Sequence, residues 1–253
     1  MARVTETETR EIRDYAFEIK FLVDPALGQR IREWTRDRLP PDPNGAGPAG
    51  DEYRITSLYF DTADYDVFRR QRSYGRSKYR IRRYGQSDVA FLERKLRTST
   101  LLSKRRTCVA LEDLACLAMD EVSSQWPGSW FKRRLAARGL HPRCQVSYQR
   151  SARVGVDEHG PFRVTLDDQL TVMPADGLQF IGGAGTPLIH RGFILELKYR
   201  ETPPAVFKQL VEEFALNPKR VSKYRLGVLA LVDRLAGGVA DLREAHTIEL
   251  RYA

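Results

Sequence analysis

The chain has 253 residues, with 42 Lys+Arg against 33 Asp+Glu, a formal net charge of +9. Apolar residues make up 42% and charged ones 30%, with 11 Tyr and 11 Phe, which excludes the disordered class and predicts a soluble, basic, globular protein with a sizeable core. Met1 to Arg10 is polar, and the most apolar stretch, Leu226 to Val232, ends at Asp233, far short of the ~20 residues of a membrane span, so neither a secretion signal nor a transmembrane helix is expected.

Local signatures remove further classes. Cys108, Cys116 and Cys144 are odd in number and lack CxxC spacing, so neither a disulfide framework nor a zinc ribbon is indicated and a reducing cytoplasm is expected. His141, His159, His190 and His246 lie far apart and form no HExxH. The sequence also lacks GxxxxGK[ST], GxGxxG and GxSxG, which excludes the P-loop, Rossmann and serine-hydrolase readings. Any chemistry must come from dispersed residues.

In chain order, Tyr15–Val23 alternates with period two and reads as a strand. Asp24-Pro25 then supplies an N-cap and a proline at the first helical position, ahead of Leu27, Ile31 and Trp34 at helical spacing. Pro40 to Gly50, rich in proline and glycine, reads as a long surface loop. Strands follow over Tyr53–Asp61, Ser77–Tyr84, Val89–Arg97 and Arg105–Val109, and Asp61, Asp64 and Asp66, after the first of them, suit turns or caps. Short helices are expected over Leu111–Met119 and Ser129–Arg138, the latter closed by Gly139. Gln145–Val154, Phe162–Leu170 and Phe193–Arg200 read as strands, with a glycine-rich loop over Gly182–Pro187. Thr202-Pro203 repeats the capping device before Phe207, Leu210, Val211 and Phe214, and Ser222 caps a final helix through Leu235. Many of the connections are too short for a parallel crossover, so the predicted class is α+β with a large antiparallel sheet.

Residues two apart on a strand share a face. That places Glu18 with Lys20, Lys78 with Arg80 and Arg82, Glu93 with Lys95 and Arg97, Arg163 with Asp167, and Glu196 with Lys198. Three like charges in Lys78-x-Arg80-x-Arg82 repel unless an anion or acidic partner sits among them. The repeated pairs Glu18-x-Lys20, Glu93-x-Lys95 and Glu196-x-Lys198 point to one shared cause, a polyanion. Closing the sheet into a barrel would turn these faces inward and leave the apolar faces to pack against the helices. Arginine grips phosphate bidentately, lysine acts as a point charge, and a carboxylate can hold a divalent metal that bridges phosphoryl oxygens.

The ordered set FEIKF (residues 17–21), SLYFDT (57–62), KYRIR (78–82), FLERK (91–95), SYQR (147–150), RVTLD (163–167), ILELKY (194–199) and SKY (222–224) resembles the VTC domain. This is the polyphosphate-polymerase domain of the triphosphate tunnel metalloenzymes, in the CYTH-like superfamily. The resemblance implies an antiparallel β-barrel tunnel of about eight strands, with helices packed outside, over residues 11–235. Residues 1–10 would be a flexible N-terminus and residues 236–253 a C-terminal extension.

It further implies a catalytic set of Lys20, Arg80, Arg82, Lys95 and Glu196. Phosphate ligands would be Lys20, Arg80, Arg82, Lys95, Lys104, Arg150, Arg163, Lys198 and Lys223, with Arg220 a lesser member. Glu196 would be the leading ligand of Mn2+ or Mg2+; Glu18 either assists that metal or pairs with a lysine, and Glu93 is a pairing partner. Tunnel enzymes often begin Glu-x-Glu-x-Lys, whereas here Ala16 stands at the first glutamate, which weakens a second metal site. The implied activity is transfer of the ATP γ-phosphate to a polyphosphate chain; the alternatives are a tripolyphosphatase or nucleoside triphosphatase, and a non-catalytic binder of polyphosphate or inositol phosphates. A cytoplasmic location, with a membrane-protein partner at the inner face of a membrane, follows by resemblance alone. Nucleic-acid binding is disfavoured, because the basic residues alternate along strands and no RNA-recognition motif occurs.

Overall fold

The computed structural model describes residues 10–12, 17–97, 102–189 and 192–234. Its strands are β1 (Arg10–Ile12), β2 (Phe17–Val23), β3 (Glu52–Asp61), β4 (Ser77–Tyr84), β5 (Val89–Arg97), β6 (Leu102–Ala110), β7 (His141–Asp157), β8 (Gly160–Pro174), β9 (Thr186–Pro187) and β10 (Phe193–Tyr199). Its helices are α1 (Pro25–Arg38), α2 (Asp66–Arg69), α3 (Ser129–Ala137), α4 (Ala205–Glu213) and α5 (Lys223–Arg234), with 3-10 turns at Arg72–Arg76 and Glu112–Leu117. The hydrogen-bonded strand order is β1-β6-β5-β4-β3-β7-β8-β10-β2, with β9 beside β8. The expected α+β class with an antiparallel sheet is what forms. The two strands that sequence alternation did not mark, β1 and β9, are three and two residues long, too short to carry a period.

The chain divides into two compact units whose segments interleave. The first holds Thr56–Gln145 and Pro174–Gly183 together with β1, and the second holds the described parts of Tyr15–Ile55, Val146–Met173 and Ala184–Ala253.

In the second unit, β2, β10 and β8 pair in register, with Phe21 opposite Leu195 and Leu195 opposite Leu166. Alternation sends Phe21, Val23, Val164, Leu166, Leu195 and Leu197 to one face, where they bury against Ile31 and Trp34 of α1 and Phe207 and Leu210 of α4. Fully burying such a side chain contributes roughly 1.5–3 kcal/mol. Helix α1 starts as expected, the Asp24 carboxylate accepting from the Leu27 amide at 2.9 Å. It lies close to β10 because Gly28 has no side chain: a Cβ there would come within 2.1 Å of the Phe193 ring.

Helix α4 departs from expectation. It begins at Ala205 with Pro204 as its cap and no side-chain cap, rather than at Thr202-Pro203. The second proline disfavours the helical region for Pro203, so the helix starts only after it. The final helix is entered as expected: the Ser222 hydroxyl accepts from the Arg225 amide at 3.4 Å, while Leu235, the expected end, lies outside the described residues.

In the first unit, β4, β5 and β6 pair in register. Tyr79, Ile81, Ala90, Leu92 and Val109 are buried, and Phe131 of α3 meets Tyr79 and Phe60 at ring separations of 5.8 and 5.7 Å. Trp130 donates to the Thr107 hydroxyl at 2.8 Å. Gly139, with φ +57°, terminates α3 as expected. The expected helix over Leu111–Met119 is only the 3-10 turn Glu112–Leu117. Asp61 is buried and accepts from the amides of Thr62, Val67 and Phe68 at 2.7–2.9 Å, so it caps α2, as its position after a strand implied. Among the described residues no helix is long and apolar enough to cross a membrane.

Candidate functional site: two charged sheet faces

The packing of α1 and α4 on one face of β2-β10-β8 leaves the polar positions of those strands on the other. Their register makes three rows: Glu18, Lys198, Arg163; then Lys20, Glu196, Thr165; then Leu22, Ile194, Asp167. Glu196 is the hub. Its Oε1 lies 2.8 Å from Lys223 Nζ and 3.1 Å from Lys20 Nζ, and its Oε2 lies 3.4 Å from Lys198 Nζ and 3.7 Å from Arg150. Asp167 takes Arg150 bidentately at 2.6 and 2.7 Å, and Lys223 at 2.6 Å. Glu18 lies 3.5 Å from both Lys20 and Lys198. The Tyr148 ring stands 5.0 Å from Lys223 Nζ and 5.4 Å from the Arg150 guanidinium.

Burial alone would raise the carboxylates of Glu196 and Asp167, but the surrounding cations hold both below the ordinary range, Glu196 well below it. Burial likewise works against the charge on Lys20, Arg150 and Lys223, yet Glu196 and Glu18 raise Lys20, and Asp167 and Glu196 raise Arg150 and Lys223. Lys20, Arg150, Lys223, Asp167 and Glu196 are therefore all charged at neutral pH. Three carboxylates (Glu18, Asp167, Glu196) meet four cations (Lys20, Arg150, Lys198, Lys223), for a net charge of 4 − 3 = +1. Arg163 shares the face but pairs elsewhere: it reaches Asp42 at 2.6 Å and the Tyr53 hydroxyl. Arg220 is exposed, in the segment between α4 and α5.

The first unit presents a second charged face with a different balance. Its rows are Lys78, Lys95, Lys104; then Arg80, Glu93, Arg106; then Arg82, Phe91, Cys108. Within these three rows six side chains are basic and one is a carboxylate, 6 − 1 = +5. Glu93, 2% exposed, lies 2.6 Å from Arg80, 2.8 Å from Lys104 and 3.3 Å from Arg106. Arg80 also donates to the Tyr59 hydroxyl at 3.3 Å, and Arg82, buried, donates to the Ser57 hydroxyl at 3.1 Å. Burial would raise the Glu93 carboxyl, but Arg80, Arg82, Lys104 and Arg106 hold it well below the usual range. Burial pulls Lys104 down to about 8. Burial alone would raise Tyr84, yet Arg82 and Arg106 bring it down to about 8.

The implied site residues thus gather on two faces: Lys20, Arg150, Lys198, Lys223, Glu18 and Glu196 in the second unit, and Arg80, Arg82, Lys95 and Lys104 in the first. Glu93 is a pairing partner, as expected. Sequence reasoning missed Arg106, because Lys104-Arg105-Arg106 offers three adjacent cations. Register separates them: Lys104 and Arg106 oppose Lys95 and Glu93, whereas Arg105 turns to the other face and stacks on Trp130 at 4.2 Å. It also missed Asp42, which lies in a proline-rich loop with no strand period, and the role of Asp167 as a second hub.

In each unit an antiparallel sheet carries charged rows on one face and packs helices on the other. A protein of Bacillus halodurans that bears the provisional name of adenylate cyclase has this fold, with a TM-score of 0.52 at 15% identity, over 84% of this chain and 95% of its own. The Hippeastrum protein HpAC1, provisionally named an adenylyl cyclase and described as having a dominant triphosphatase activity, aligns with a TM-score of 0.47 at 17% identity, over 91% of this chain and 98% of its own. No curated protein sequence matches the chain. The profile of the VTC domain matches residues 15–232, and the chain belongs to that family.

Proposed function

We propose that this protein transfers phosphoryl groups between a nucleoside triphosphate and inorganic polyphosphate, acting as a polyphosphate polymerase. The observation that carries this reading is the register that sets Lys78, Arg80, Arg82, Lys95, Lys104 and Arg106 beside Glu93 in cross-strand rows on one face of the first unit. Opposite charges ~5 Å apart attract by roughly 1 kcal/mol in water and ~3 kcal/mol at an effective dielectric of 20, so a chain of phosphates would be drawn to these rows. Membership of the VTC family supports the same substrate class.

The residues act by holding and by neutralising. Arg80 and Arg82 supply planar donors for phosphoryl oxygens, and Lys78, Lys95 and Lys104 supply point charges. On the second unit's face, Lys20, Lys198 and Lys223 are cations of the kind that neutralise charge on a phosphoryl group. Lys223, at the start of α5, adds the attraction of a helix N-terminus for an anion. The acceptor is a phosphate already ionised at neutral pH, so no general base is needed. Positioning and charge stabilisation can supply most of the rate.

The resemblance implies Mn2+ or Mg2+ on Glu196, with Glu18 as a second donor. As the side chains stand, the residues do not fit such an ion. Both Glu196 oxygens are covered by cations, and among the described residues no three His, Cys, Asp or Glu group to hold a metal. No step is therefore routed through it.

Incubation of the purified chain with ATP and Mn2+, with products separated by chain length, tests the proposal. Long phosphate chains are expected. Orthophosphate alone would make it a hydrolase, and no turnover with intact tripolyphosphate binding would make it a binding module.

A further inference from the structure

The first unit's charged face is not uniform along its strands. Its first row is all lysine (Lys78, Lys95, Lys104) and its second sets Arg80 and Arg106 on either side of Glu93, but in the third Arg82 is followed by Phe91 and Cys108. Tyr84, two residues beyond Arg82 on the same strand, continues that face. Charge therefore gives way to aromatic surface toward one end. Arg106 joins the two kinds of surface. Its Nε lies 3.3 Å from Glu93, and its guanidinium carbon lies 3.5 Å from the centre of the Phe91 ring and 5.4 Å from that of Tyr84. The two rings meet edge to face, 5.6 Å apart at 83°. Phe91 and Tyr84 are half-buried, and the Arg106 side chain is 28% exposed.

A guanidinium layered on an aromatic ring suits a flat heterocycle, because planar groups of both kinds stack on nucleobases. A chain of phosphates has no such plane and gains nothing from the rings. The spacing fits a ligand that has both parts. Successive rows lie two residues apart, ~6.6 Å, so the Phe91 row stands ~13 Å from the lysine row. A nucleoside triphosphate laid along the strands can keep its phosphates over the lysine and arginine rows while its base reaches Arg106 and Phe91.

We infer that Arg106, seated on Phe91 with Tyr84 as a side wall, is the platform on which the base of the nucleoside triphosphate stacks. The inference rests on the function proposed above and gives the nucleotide a direction, with its terminal phosphate toward Lys78, Lys95 and Lys104. Stacking reads the ring and not its hydrogen-bonding edge. Purine nucleotides, which offer the larger face, are then the substrate class, with little choice between adenine and guanine.

Ribose 5-triphosphate, which carries the phosphates of ATP without the base, isolates this contact. Calorimetry with the full-length parent is expected to show ATP bound about tenfold or more tighter than ribose 5-triphosphate, and ATP and GTP within about threefold of each other. Phe91→Leu, which keeps an apolar side chain in the sheet, should bring ATP down to the affinity of the baseless probe and leave that probe nearly unchanged. Phe91→Tyr, which restores a ring, should recover the preference for ATP.

Equal affinity of the parent for ATP and ribose 5-triphosphate would overturn the inference. So would a Phe91→Leu loss that is the same for both ligands, an undiminished preference for ATP in that variant, or a choice between ATP and GTP beyond about tenfold. Each of those results leaves triphosphate binding by the parent intact. A parent that binds neither ribose 5-triphosphate nor tripolyphosphate would instead remove the proposed function, and this inference with it.

Discussion

The two charged faces use the same residue types to opposite ends. In the second unit, three carboxylates meet four cations, and the buried, bidentate Arg150–Asp167 pair fixes the arrangement from within. In the first, one carboxylate serves a row of arginines beside a row of lysines. A matched cluster holds its own geometry without a ligand. On the function proposed above, the first unit's cation-rich rows are the ones that attract a phosphate chain.

Removing a member of the matched cluster should cost most. Arg150→Ala leaves Asp167, 0% exposed, without its bidentate partner, and is expected to lower unfolding free energy by about 3–5 kcal/mol in a denaturant titration. A loss below ~1 kcal/mol would mean that the pair does not organise the second unit.

Glu93→Gln should act differently, because its partners Arg80, Lys104 and Arg106 are 23–35% exposed and can turn to water. A smaller stability loss of roughly 1–3 kcal/mol is expected, together with tighter tripolyphosphate binding and a steeper dependence on salt as the surplus grows from +5 to +6. Weaker binding would contradict the assignment of that face.

The two faces should also titrate differently. Lys104 and Tyr84, both at about 8, lose positive charge and gain negative charge as pH rises through that value. Tripolyphosphate affinity is therefore expected to fall between about pH 7.5 and 9, and Lys104→Arg should flatten part of the fall. Both folded pKa values lie below their unfolded ones, so the folded state binds fewer protons between about pH 8 and 10, and stability from these groups rises with pH there. The second unit's carboxylates, held below their ordinary range, contribute stability that is complete at neutral pH and is lost only in acid as pH falls through their folded values. A pH-independent affinity across pH 7.5–9 would count against the first unit's role.

The smallest contrast is between neighbours. Arg106→Ala should weaken tripolyphosphate binding several-fold, while Arg105→Ala, on the opposite face, should cost only ~0.5–1 kcal/mol of stability through its stacking on Trp130.

Much of this was legible beforehand for one physical reason: strand alternation sorts side chains by face without knowledge of pairing. Ser77–Tyr84 and Val89–Arg97 carried both their boundaries and their charged faces in their period, and Asp24-Pro25 carried its helix start. Pairing was not legible. The hub role of Asp167, the opposition of Arg106 to Glu93 and the diversion of Arg163 to Asp42 depend on which strand or loop lies alongside, and that is fixed by long-range register. The late start of α4 was readable from Pro203-Pro204, where the second proline overrides the cap signal before it.

Calorimetric titration of tripolyphosphate into the parent, Arg80→Ala and Lys20→Ala examines both faces at once. Each substitution should weaken binding by about tenfold or more, as expected when one charged contact to a phosphate is lost. Unchanged affinity in either variant would show that its face does not hold the phosphate chain, and would contradict the account.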